Sequence, residues 1–136
     1  KLKNKYHKIL RYLFRKYNFF RDFNKFPNPH LRTSSFLINS RVFLDFIQNK
    51  KLRNKEDTLK IESGKNSLTN YLKNKEIKIL VVNSDGEKFE ENSWKYSETY
   101  NFLNHDKSII SDKHSRKYLE LNNEEKNAAR LKVWGI

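Results

Sequence analysis

The sequence contains no cysteine, which excludes disulfide-stabilised scaffolds and metal sites with thiolate ligands. It contains only three glycines, too few for a glycine-rich loop that binds phosphate. No apolar run approaches the ~18 residues that indicate a membrane-spanning helix, so we expect no transmembrane segment. With 14% aromatic residues the chain has enough apolar groups for a folded centre, and we expect ends that depend on a partner.

Acidic residues are nearly missing from the first quarter of the chain. Residues 1–32 hold ten Lys or Arg and one acid, Asp22, which gives a net charge of +9. Residues 33–82 carry +5 and residues 83–136 carry −1, which together account for the +13 of the whole chain. A general lysine excess would not remove acids from one end only. The asymmetry therefore indicates a basic arm that contacts a polyanion.

The overall composition indicates an AT-rich gene. Lys, Asn, Ile, Phe and Tyr, which have AT-rich codons, make up 64 residues, whereas Gly, Ala, Pro and Arg make up 15. Organelle genomes often show this bias. By that association we expect the protein to reside in the mitochondrial matrix.

Hydrophobic periodicity predicts an α+β fold that is mostly helical. We expect residues 1–32 to form a basic, aromatic-rich helical arm followed by a proline loop. Residues 33–136 are predicted to form a small α+β domain, with a β-hairpin near residues 76–92 and acidic C-terminal helices.

The arm is predicted to be an amphipathic helix over residues 1–26. Pro27 and Pro29 prevent the helix from continuing, because each lacks an amide donor and restricts the residue before it. Apolar side chains at spacings of three and four form one stripe. The stripe consists of Leu2, Tyr6, Ile9, Leu10, Leu13, Phe14, Tyr17 and Phe20.

The central part of the chain predicts two helices and a linker. Ser40 is expected to cap a helix over residues 41–52, and Ser67 a short helix over Leu68–Asn74. Residues 50–57 lack an apolar period and are predicted to be a solvated link.

The hairpin is predicted from a branched apolar run, a turn and a polar strand. Asp85 and Gly86 supply the positive φ that a tight turn requires. Residues 79–82 are almost continuously apolar, which favours a central strand rather than a half-exposed one.

Helices are predicted for the rest of the chain. The first covers residues 93–104 and the second residues 113–121. Asn123 is expected to cap the last helix, and Gly135 to end it.

The predicted function depends on how residues 5–26, KYHKILRYLFRKYNFFRDFNKF, are interpreted. They hold eight aromatic residues, seven Lys or Arg and one acid. The segment could be a core helix with a solvated back, but a merely solvated face mixes charges of both signs. It could lie on a membrane or serve as a mitochondrial targeting helix, although it lacks Ser and Thr.

Binding to RNA is the interpretation that we favour. Lys and Arg neutralise phosphates, and interleaved aromatic rings offer planes on which unpaired bases stack. We expect Tyr12 to stack and the cations to contact phosphate, with the last two extending the track beyond the arm. The predicted RNA-binding residues are Lys1, Lys3, Lys5, Lys8, Arg11, Tyr12, Arg15, Lys16, Arg21, Lys25, Arg32 and Arg41.

No catalytic or metal-binding pattern is convincing, so we expect no enzymatic activity, no cofactor and no metal site. The four histidines lack the spacing of a metal site. Asp57, Glu76 and Lys78 resemble the acid and Glu-x-Lys arrangement of restriction-type nucleases. A Glu-x-Lys triplet is expected by chance in a chain so rich in both residues.

We therefore predict a structural rRNA-binding component of a mitochondrial ribosome. The alternative is an accessory subunit of an organelle membrane complex such as a respiratory complex, and the third hypothesis is a metal-dependent nuclease. Neighbouring proteins are expected to contact the acidic C-terminal third. The residues expected in that contact are Glu90, Glu91, Glu124 and Glu125, with Trp94 or Trp134 as an anchor.

Overall fold

The computed structural model describes residues 12–13, 16–17, 19–32, 34–100 and 105–135. Helices dominate, and the sheet has two antiparallel strands, which confirms the predicted mostly helical α+β class. The elements are α1 (Ser40–Ile47), α2 (Lys55–Ser63), α3 (Leu68–Asn74), β1 (Val81–Val82), β2 (Lys88–Phe89), a 3-10 helix (Glu91–Tyr96), α4 (Lys113–Glu120) and α5 (Asn123–Trp134).

The N-terminal helical segment comprises residues 12–13, 16–17 and 19–22, and it ends earlier than predicted. Phe23 leaves the helix and forms an antiparallel bridge with Gly64. The backbone N–H of Lys65 also donates to the carbonyl oxygen of Asp22 at 2.9 Å. These contacts tie the end of the segment to the end of α2. Residues 1–11 of the predicted arm lie outside the described residues.

The first helix of the central part is shorter than predicted. Asn39 rather than Ser40 caps α1, because its side-chain oxygen accepts from the backbone N–H of Arg41 at 3.0 Å. The helix ends at Ile47 rather than at residue 52.

The predicted solvated link contains the start of α2, so that prediction was wrong. Asn54 caps this helix by accepting from the backbone N–H of Asp57 at 3.0 Å. Glu56 and Asp57 lie in the first turn, where carboxylates interact favourably with the helix dipole. Local capping therefore supports a helix that has little apolar periodicity.

The core lies between α1 and α3. Phe46 from α1 packs with Leu68 and Leu72 from α3, and all three are buried. The predicted cap of α3 is confirmed, since the Ser67 hydroxyl accepts from the backbone N–H of Asn70. Partly buried neighbours complete the cluster, namely Leu31, Ile38, Val42, Phe43, Ile47, Ile61, Tyr71, Ile77 and Ile79.

The hairpin is present but small. Val81 pairs with Phe89 and Val82 with Lys88. Gly86 has the predicted positive φ, at 80°. The prediction of a central strand was wrong: β1 has one neighbouring strand, and Leu80 and Val82 remain exposed. A two-stranded sheet leaves one edge of each strand unpaired, so a continuous apolar run does not ensure burial.

The predicted helix over residues 93–104 is instead a 3-10 helix, Glu91–Tyr96, followed by bends up to residue 100. Residues 101–104 lie outside the described part. Within the 3-10 helix, Trp94 is buried.

The last two helices agree with the prediction except at the cap of α5. Asp112 caps α4 by accepting from the backbone N–H groups of His114 and Ser115, both at 2.8 Å. Asn122, not Asn123, caps α5 in a capping box with Glu125. Gly135 ends the helix with φ 78°, as predicted. Among the described residues, no helix is both long and apolar enough to cross a membrane.

Candidate nucleic-acid interface

The apolar stripe of the N-terminal helical segment is open to solvent where it is described. Leu13 is 54% exposed, Tyr17 66% and Phe20 46%. A core helix would bury these positions against its own domain. The stripe is therefore free to contact a partner, and Tyr12 beside it is exposed as well.

The single acid of residues 1–32 is neutralised within the protein. Asp22 accepts from Arg21 Nε at 2.8 Å and lies 2.9 Å from Lys60 Nζ. Hydrogen bonds from Arg21 and then Lys60 hold the pKa of Asp22 well below its usual range. The carboxylate is thus ionised but compensated, and it does little to repel phosphate.

Residues 1–32 are called the N-terminal segment below. Two of its lysines that are predicted to contact phosphate are accessible. Lys16 and Lys25 are exposed, and neither forms an ion pair with a described residue. Arg21 is also exposed, although it shares its charge with Asp22. The remaining predicted cations of the arm lie outside the described residues, namely Lys1, Lys3, Lys5, Lys8, Arg11 and Arg15.

Arg32 and Arg41, which were predicted to extend the phosphate contacts beyond the arm, differ in their surroundings. Arg32 pairs with the carboxylate of Asp112, and its guanidinium carbon lies 5.2 Å from the centre of the Tyr100 ring. A phosphate would compete with Asp112 for this guanidinium. Arg41 lies exposed in the first turn of α1 and forms no ion pair with the described part of the chain.

Asp112 has two structural roles. Its pKa is lowered to about 2, first by the backbone N–H of Ser115 and further by the Ser115 hydroxyl and the charge of Arg32. The same carboxylate therefore caps α4 and anchors the proline loop through Arg32.

Sequence reasoning missed a second basic stretch, between α1 and α2. Four cations fall within six residues, and no acid occurs from residue 46 to residue 55. Three of the cations, Lys51, Arg53 and Lys55, are exposed and unpaired with any described acid. The fourth, Lys50, lies 4.4 Å from the centre of the Phe46 ring. The local lack of acids, already used for the arm, would have identified this stretch.

Two of the acids predicted to contact neighbouring proteins are paired with lysines of the central part of the chain. Glu90 lies 2.6 Å from Lys78, and Glu91 pairs with Lys73. Trp94 is 4% exposed, so it is not available as an anchor for a neighbouring protein. The side chain of Trp134 is partly buried.

The residues of the nuclease hypothesis serve other contacts. Asp57 accepts from the backbone N–H of Arg53 at 2.9 Å, and Lys78 pairs with Glu90. Within the described ranges, no three His, Asp or Glu side chains lie together as a metal site would require. The chain matches no protein-family model, no curated protein and no solved structure. Its function therefore has to be argued from its own residues.

Proposed function

We propose that this protein is a non-catalytic RNA-binding protein, a structural component of a mitochondrial ribosome. One observation carries the proposal: where the N-terminal segment is described, it combines cations that have no ion-pair partner with an exposed apolar stripe, and the only acid of residues 1–32 is neutralised internally. Such a surface is positive and offers aromatic planes.

RNA fits both properties of this surface. Phosphates attract Lys16 and Lys25, and binding releases counterions from the RNA. Tyr12 and Tyr17 present rings on which unpaired bases stack. The cations of residues 1–11 and the basic stretch after α1 would extend the contact in both directions.

The mitochondrial assignment is supported by the AT-rich composition. Neighbouring proteins of the ribosome are proposed to contact the acidic C-terminal third. Since Glu90 and Glu91 are paired with lysines, the exposed Glu124 on α5 is the better candidate for that contact.

A second candidate function, an accessory subunit of an organelle membrane complex, is favoured by one observation. The exposed stripe of Leu13, Tyr17 and Phe20 has the character of a helix face that lies in a lipid interface. The lack of acids beside it would suit anionic lipid as well.

Sedimentation of a native mitochondrial extract, with and without ribonuclease, tests the proposal. We expect the protein, followed by mass spectrometry, to migrate with a ribosomal peak and to leave it when ribonuclease destroys the particle. Migration with a detergent-solubilised membrane complex, unaffected by ribonuclease, would contradict the RNA proposal and support the second candidate.

A further inference from the structure

A cavity of about 390 Å³ lies where residues 19–30 meet α2. Its apolar wall is formed by Phe19, Phe23, Phe26 and Leu59. The rings of Phe19 and Phe23 are stacked, with their centres 4.9 Å apart. Phe19 and Phe26 are both partly exposed, so the wall is open to solvent. The volume is that of a small-molecule site, and aromatic walls favour a planar ligand.

The polar side of the cavity is lined by Asn24, Asn28, His30, Glu56 and Ser63, and Glu56 is its one carboxylate. Glu56 is an exposed carboxylate, which can only accept. His30 Nδ1 lies 2.7 Å from the carbonyl oxygen of Asn28, to which Nδ1 donates. The side-chain amide of Asn28 donates one N–H to the carbonyl oxygen of Ser63 at 2.9 Å, which leaves its second N–H as a donor and its side-chain oxygen as an acceptor. The Glu56 carboxylate therefore favours a ligand that supplies hydrogen-bond donors.

Three lysines lie close to residues of the cavity. Lys60 Nζ lies 3.3 Å from Glu56 and 2.9 Å from Asp22. Lys132 Nζ lies 5.5 Å from the centre of the Phe26 ring, and Lys25 is exposed next to Phe26 in the chain. The charge around an aromatic cavity is thus suited to a planar group that is attached to phosphates.

We propose that this cavity receives one unpaired RNA base that carries an exocyclic amino group, that is, adenine, cytosine or guanine. The base stacks on the aromatic wall and donates its amino group to Glu56 or to the neighbouring acceptors. Lys25 and Lys132 lie near the phosphates on either side. The proposal rests on the RNA-binding function above and specifies which part of the RNA is recognised.

Uracil fits this site less well. It has no amino group, and its only donor, N3–H, lies between two carbonyl oxygens that would be brought close to the Glu56 carboxylate. A lipid chain would contact the apolar wall but would make no use of the Glu56 carboxylate. The carboxylate therefore favours an amino-bearing base.

Short oligouridines that differ at one central position test the proposal. The central residue is uridine, adenosine, cytidine or an abasic site, so that the number of phosphates stays constant. Fluorescence anisotropy at fixed salt should show adenosine and cytidine binding at least about fivefold tighter than the abasic oligomer, since one stacked base contributes that much or more. The affinity for the uridine oligomer should lie between the affinities for the adenosine and the abasic oligomers.

Two pairs of variants test whether the preference for an amino-bearing base comes from this cavity. Glu56→Gln replaces an obligate acceptor by a group that also donates, and it should lower the ratio of adenosine to uridine affinity. Glu120→Gln, an exposed change of the same charge on α4, should leave that ratio unchanged. Phe26→Leu should reduce the difference between adenosine and abasic oligomers, whereas Phe36→Leu, another partly exposed phenylalanine, should not.

The possible failures are distinguishable. Salt-dependent binding of all oligomers with equal affinity would overturn the base site and leave the RNA-binding function intact. No binding of any oligomer would overturn both. Binding of neutral phospholipid vesicles that is lost when Leu59→Trp fills the cavity, with RNA affinity unchanged, would identify a lipid site instead.

Discussion

The N-terminal segment and the region around the β-hairpin are both rich in lysine, but their lysines differ in ion pairing. Around the hairpin, Lys107 lies 2.9 Å from Asp85, and Lys78 lies 2.6 Å from Glu90. In the N-terminal segment, Lys16 and Lys25 have no described acid to pair with. The comparison shows that the number of lysines alone says little about binding, because a paired lysine has its charge compensated by a carboxylate and attracts phosphate less strongly.

Apolar residues of the central core and of the N-terminal segment differ in their exposure to solvent. Phe46, Leu68 and Leu72 are buried in the central core, whereas Leu13, Tyr17 and Phe20 lie exposed on the N-terminal segment. The centre therefore holds a buried core, whereas the N-terminal segment leaves apolar side chains in solvent. The following predictions test that division, beginning with the largest effect.

Truncation of a core aromatic residue should affect stability, and truncation of a stripe residue should affect binding. Phe46→Ala should lower the free energy of unfolding by about 3–5 kcal/mol, because it leaves a cavity. Tyr17→Ala should change it by less than ~0.5 kcal/mol and should weaken RNA binding. Denaturant unfolding and anisotropy measure the two effects, and a stability loss at Tyr17 as large as that at Phe46 would contradict the division.

Neutralising the two unpaired lysines should reduce the salt dependence of RNA binding. For single-stranded RNA, each phosphate contact contributes ~0.7 to the slope of log K against log salt, so Lys16→Gln with Lys25→Gln should reduce the slope by about 1.4. Lys88→Gln with Lys113→Gln, at exposed positions of the C-terminal third, is the matched control. An equal reduction by the control would mean that the charge is not localised in the N-terminal segment.

The contact between Arg32 of the proline loop and Asp112 at the start of α4 should contribute less to the free energy of unfolding than Phe46 does. Asp112→Ala removes both the helix cap and the partner of Arg32, and it should cost ~0.5–2 kcal/mol of stability. Asp112→Asn keeps a good cap and should cost less. Equal unfolding midpoints for wild type and Asp112→Ala would show that the anchor contributes nothing.

Acid should destabilise the C-terminal part in two steps. Burial lowers the pKa of His105, so the unfolded state binds the proton more readily and stability falls as pH drops below about 6.5. The pKa of Asp112 is lowered to about 2, so its contribution is present above its ordinary value of 3.8 and is lost as pH falls from there toward 2. Unfolding midpoints measured against pH should show both losses, and His105→Gln should remove only the first. A profile that is flat across both ranges would contradict this assignment.

Local chemistry in the sequence predicted several elements correctly. Ser67, Gly86 and Gly135 act through their own side chains or backbone freedom, so their roles do not depend on distant contacts. The length of β1 could not be predicted in this way, because a strand extends only as far as its partner does. Helix α2 was missed because its cap at Asn54, not an apolar period, marks its start.

The candidate site was predictable only in part. The shortage of acids in residues 1–32 is visible in the sequence, and it indicated the basic segment. The cavity joins Phe19 and Phe23 to Glu56 and Leu59, far apart in the chain, and one of its walls is the missed helix. The internal pairing of Asp22 with Lys60 likewise depends on a tertiary contact.

Ultraviolet crosslinking of native particles, followed by mapping of nucleotide-bearing peptides, tests the central claim most directly. We predict that crosslinks concentrate in residues 1–32, with few or none in residues 83–136. Crosslinks concentrated in residues 83–136, or none from a particle that contains the protein and intact RNA, would contradict the assignment of the N-terminal segment to RNA.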